Sequence, residues 1–93
     1  MNIYHVSGYH GGYDSFSDFV CVAKSEEDAR STHPYNNPRN SEWCAVAQKE
    51  WESGVDKDSW IAFSKRDKLK VVLLGKADKN LKRGVVCASF HAG

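Results

Sequence analysis

The run Phe19-Val20-Cys21-Val22-Ala23 is apolar at every position and rich in β-branched and aromatic side chains, the pattern of a buried central strand. Everything else in the chain has to be arranged around that central strand. Ile3 to Ser7 alternates, with Tyr4 and Val6 on one face and Ile3 and His5 on the other, and so reads as an edge or second-position strand. Leu69, Val71 and Leu73 lead into Gly75, and Val85 to Phe90 forms the last apolar run; both are expected to be strands.

Two helices are expected between the second and third strands. In Ser25-Glu26-Glu27-Asp28-Ala29-Arg30, Ser25 can accept from the backbone N–H groups of the first turn, and three acidic residues meet the positive end of the helix dipole. This helix must stop near His33, because Pro34 cannot donate and restrains the residue before it. From Ser41 onward Trp43, Cys44, Ala47 and Trp51 fall at helical spacing, with Gln48, Lys49, Glu50 and Glu52 mostly on the other side, and Ser53-Gly54 ends the run. Ser59 to Phe63 reads as a short strand or a packed loop, and Lys65 to Lys68 as a turn.

With 93 residues, 41% hydrophobic, the chain has surface for one core only. The expectation is a single α+β domain over residues 1–93: about four mostly antiparallel strands with two helices packed on one face. Four short strands leave two sheet edges, so association with a second copy is one expected mode of use.

The formal net charge of +1 excludes a highly acidic nucleic-acid mimic and a strongly basic packaging protein. Charge is nevertheless uneven. Residues 1 to 47 are formally −3, and residues 48 to 93 are +4. Either the two halves attract each other in the fold, or Lys65, Arg66, Lys82 and Arg83, with the lysines around the last hairpin, form a phosphate-attracting patch for nucleic acid.

Three cysteines without paired spacing, Cys21, Cys44 and Cys87, point to a reducing cytoplasm, since a small secreted chain normally carries an even framework. The start Met1 to Val6 lacks the pattern of a signal peptide, and runs such as Val71 to Leu74 are far too short to span a bilayer. No membrane contact is expected.

No catalytic set emerges. Cys-x-x-Cys and His-x-x-x-His pairs are absent, so no metal site is expected. Cys21 and Cys87 lie in apolar strands where burial disfavours the thiolate, and Cys44 has no visible partner. Gly8, Gly11 and Gly12 do not make a phosphate-binding loop. No cofactor is implied. What remains is a binding set: Tyr9, Tyr13 and Trp60 offer flat rings, Asp14 adjoins Tyr13, and Arg30 and His33 sit one turn apart where they can face one anion. The competing roles are a surface ion pair for Arg30, a dipole-favourable helix end for His33 and hydrophobic core for Trp60.

Tyr13-Asp14-Ser15-Phe16, the segment Ser25-Glu26-Glu27-Asp28-Ala29-Arg30 with His33-Pro34, and the ending Ala88-Ser89-Phe90-His91-Ala92-Gly93 resemble a family of small proteins of tailed bacteriophages and prophages. The resemblance spans nearly the whole chain, except that residues 35 to 58 look longer than the usual pattern. It implies a phage origin and no particular activity; with no catalytic set in the sequence, the expectation is a non-enzymatic factor acting in the host cytoplasm. Such a factor would serve host takeover or counter-defence by binding a bacterial defence protein or sequestering a nucleotide signal; nucleic-acid binding is the alternative.

Overall fold

A computed structural model of the chain describes residues 1–9, 15–36, 41–55 and 60–91. The order is β1 (Asn2–Ser7), β2 (Ser15–Ala23), α1 (Glu26–Arg30), α2 (Ser41–Glu52), a 3-10 helix (Phe63–Lys68), β3 (Lys70–Lys76) and β4 (Gly84–His91). The strands form one antiparallel sheet in the order β3-β1-β2-β4. This is the α+β architecture expected from the sequence. β1 takes the second position, and Phe19, Cys21, Val22 and Ala23 of β2 are buried.

Cross-strand neighbours share a face of an antiparallel sheet. Tyr4 and Val6 of β1, Phe19 and Cys21 of β2, and Val85 of β4 line the covered face, against Ala29 of α1, Trp51 of α2 and the connecting residues Trp60 and Leu69. The opposite face carries His5, Val20, Val72 and Cys87 in one row and Ser7, Asp18 and Ser89 in the next.

Local chemistry sets the helix ends. The Asp28 N–H donates to Ser25 Oγ at 3.1 Å, and the Lys24 N–H donates to Asp28 Oδ2 at 2.9 Å, closing the N-terminus of α1 from both sides. α1 ends at Arg30, so His33 lies beyond the helix in a turn and not on its last turn. α2 stops at Gly54, whose φ of 82° suits a residue without Cβ. There the Gly54 N–H reaches Trp51 O at 3.0 Å and the Val55 N–H reaches Glu50 O at 2.8 Å, the bonding pattern of a Schellman stop.

One residue sits opposite to its expected side. Helical spacing puts Gln48 on the solvent side of α2, but it is half-buried and ties the helix to the turn after α1. Its Oε1 accepts from the His33 N–H at 2.7 Å and from Asn36 Nδ2 at 3.1 Å, and its Nε2 donates to Ser31 O at 2.8 Å. The same turn is held to β4, because the Val85 N–H donates to Asn36 O at 2.7 Å. Among the described residues no helix is long and apolar enough to cross a membrane.

Candidate functional site

The acidic and basic halves of the sequence meet along α1. Arg83, just before β4, donates from Nε to Asp28 Oδ2 at 2.8 Å and from Nη2 to Asp28 Oδ1. This guanidinium holds the Asp28 carboxyl below its ordinary range, although partial burial works against the shift. Arg66, from the 3-10 helix, lies 3.6 Å from Glu27 Oε1 and donates to Ser31 Oγ at 3.1 Å and to Phe63 O at 2.9 Å. Its guanidinium carbon also sits 3.8 Å from the centre of the Phe63 ring. Of the four basic residues expected to contact phosphate, Arg66 and Arg83 therefore carry internal carboxylate partners, and Lys65 and Lys82 are exposed.

The structure places Arg30 beside Arg66. Arg30 Nη1 donates to Glu27 Oε2 at 3.2 Å, so Glu27 divides its two oxygens between the two guanidiniums. Glu27, Arg30, Ser64, Arg66 and Asp67 line an open cavity of about 220 Å³. Two arginines converging on one carboxylate make a fork that suits a planar or tetrahedral anion. Glu27 already fills that role, and Asp67 adds a second negative charge to the rim.

The rest of the binding set is distributed differently. His33 and Trp60 are each 1% exposed and belong to the core. His33 Nδ1 accepts from the Tyr35 N–H at 3.1 Å, and its ring packs edge-on to Trp51 and lies nearly parallel to Tyr35. Trp60 meets Phe19 and Tyr9 edge-on, with centroids at 5.4 and 5.6 Å. Tyr9 is thus a half-buried flank of the core, and Trp60 offers no open ring face for stacking a base. Tyr13 and Asp14 lie outside the described residues, as does the side chain of Cys44.

Burial pushes the Cys21 thiol up to about 12, which removes the thiolate needed for nucleophilic chemistry at neutral pH. Cys87, placed in the core by its apolar run, is instead exposed: paired with Val20, it lies on the sheet face opposite the core cluster. Among the described residues no group of three His, Cys, Asp or Glu side chains is arranged to hold a metal. On that same face, His5 Nε2 and Asp18 Oδ2 pair at 2.7 Å, a contact that lowers the Asp18 carboxyl.

Sequence reading missed the apolar exposure of β3. Val72, Leu73 and Leu74 are 38, 59 and 57% exposed, three consecutive large side chains on one strand. Its signal in the sequence is the unbroken run Val71 to Leu74 between two lysines. Val72, beside His5, and Leu73, beside Tyr4, turn to opposite faces of the sheet, and exposed large apolar side chains flanked by charge along a sheet edge are a feature of interaction sites. No protein family, curated protein or solved structure matches this chain.

Proposed function

We propose that this chain is a phage-encoded binding protein that acts without chemistry in the cytoplasm of an infected bacterium, engaging a host defence protein as a takeover or counter-defence factor. The exposed strip Val72-Leu73-Leu74 carries this reading. Leaving three large apolar side chains in water on one strand favours association, and their burial by a partner is the direct use for them. The phage origin and the defence context rest on the resemblance described above. Protein contact is favoured over base stacking because Trp60, a ring that would stack, is spent on the core.

The test is affinity capture from bacterial lysate with the wild-type chain and with Leu73→Asp/Leu74→Asp, beside a thermal-shift screen against cyclic and ADP-ribose-type nucleotides. A discrete protein retained by the wild type and lost by the double variant supports the reading. Silence in both assays ends it.

Anion capture is the second reading, and the observation favouring it is the Arg30–Arg66 fork around the 220 Å³ cavity. A nucleotide phosphate would have to displace Glu27. For nucleic acid, Lys65 and Lys82 supply exposed charge, and filter binding across a salt series is the measurement, because phosphate contacts weaken steeply as salt rises.

A further inference from the structure

Among the described residues β3 pairs with β1 alone and is an edge strand, so alternate residues turn backbone N–H and C=O groups outward, ready to pair with another strand. Leu73 is in register with buried Tyr4 and yet is 59% exposed. A register shift between Ile3 and Tyr4 leaves Leu74 without a cross-strand partner on β1. The edge therefore offers both backbone bonding capacity and apolar surface, the two components of recognition by strand addition.

Charge decides which strand fits. Lys70 and Lys76 close the two ends of β3, with Lys68 and Lys79 just beyond. Pairing β3 with the β3 of a second copy over its full length sets lysine beside lysine at both ends, whether the strands run parallel or antiparallel, and like charges in that position destabilise the pair. Pairing it with the other edge strand of a second copy supplies no compensating charge, since Gly84 to His91 contains no acidic residue. Terminal lysines are how an edge strand is protected from its own copies, and the same lysines attract a segment with acidic ends.

Resting on the reading of the chain as a protein-binding factor, we propose that β3 is the docking edge for an extended segment of a partner protein. That segment adds as a fifth strand, sets apolar residues beside Val72, Leu73 and Leu74, and places an acidic residue at each end against Lys70 and Lys76. Backbone pairing supplies the affinity and the flanking charges supply the choice of partner.

The experiment uses two fluorescein-labelled synthetic peptides with the same valine–threonine repeat, one ending in paired aspartates and the other in paired lysines. Fluorescence anisotropy should show the aspartate-ended peptide binding at least about tenfold tighter, the discrimination expected from a few exposed charge pairs. In Lys70→Glu/Lys76→Glu, both of whose replaced side chains are exposed, the preference should invert. Amide exchange should slow over residues 70–76 on binding. Equal binding of the two peptides, binding that protects other amides, absence of binding, or a dimer formed through β3 overturns the proposal. Lysate capture abolished by Leu73→Asp/Leu74→Asp then separates the outcomes: capture without peptide preference ends the docking mode alone, whereas absence of capture also removes the protein-contact reading beneath it.

Discussion

Arg83 and Asp28 join two segments 55 residues apart in sequence, fixing the entry to β4 against the N-terminal turn of α1. Asp28 also accepts from the Lys24 N–H, so its charge matters twice. Its carboxyl titrates lower in the folded chain than in the unfolded one. The stabilisation is therefore present above the unfolded carboxylate pKa of about 4 and is lost as pH falls through the folded value. Arg83→Ala should cost ~1 kcal/mol at pH 7. Urea unfolding at pH 7 and below pH 3 checks this: the difference between wild type and variant should shrink in acid, and a constant difference would show that Arg83 acts through packing alone.

Gln48 should be among the most sensitive polar positions. Gln48→Ala removes the acceptor for the His33 N–H in a segment where His33 is fully buried, and it strips the Ser31 carbonyl of its donor. Leaving buried backbone groups unpaired costs about 1–3 kcal/mol each. A loss of ~2–3 kcal/mol is expected by chemical denaturation. The control is Lys49→Ala, at the exposed neighbouring position, which should change stability by less than about 0.5 kcal/mol.

The fold was legible because its signals are local. The apolar run of β2, the Ser25 cap and the Gly54 stop each declare themselves within a few residues, and the strand and helix order follows from them. Strand order is a tertiary property, and that is where side-chain roles diverged. The alternation of Leu69, Val71 and Leu73 places Leu73 on the covered face, yet the sheet edge falls at β3 and leaves it in water. Similarly, Arg30 and Arg66 converge on Glu27 across a long sequence separation that no spacing rule connects. Gln48 faces inward because the turn at 31–36 needs an acceptor, a demand that helical periodicity does not encode.

Cys21 and Cys87 should differ sharply in reactivity. Cys21 is fully buried and its thiol is pushed up to about 12, mainly by loss of solvation, whereas Cys87 is exposed on β4. Only the thiolate attacks an alkylating agent. Peptide mass spectrometry after a pulse of iodoacetamide should find Cys87 modified in the native protein and Cys21 modified only under unfolding conditions. Equal labelling of the two in buffer would mean that β2 opens readily, contrary to a rigid central strand.

Glu27 decides whether the arginine fork is a ligand site or a structural clamp. Its two oxygens occupy Arg30 and Arg66, and its side chain is 63% exposed, free to swing out if a better anion arrives. Glu27→Gln removes the resident charge while keeping the shape. Both guanidiniums then lose that ionic partner beside Ser64 and Asp67, and Arg30 keeps the longer contact to Glu26 at 3.8 Å. If the cavity is built for phosphate, calorimetry should show inorganic pyrophosphate binding about tenfold more tightly to the variant than to the wild type, with affinity falling as salt rises. If the fork is only a clamp, neither protein binds pyrophosphate. Glu27→Gln then costs no more than ~1 kcal/mol of stability, because the pairs it breaks are largely open to solvent. The second outcome is the one that fits the protein-contact reading: the wild-type rim of two arginines and two carboxylates is already neutral, and a fork built as a clamp leaves the variant's single excess positive charge without the geometry to hold an anion.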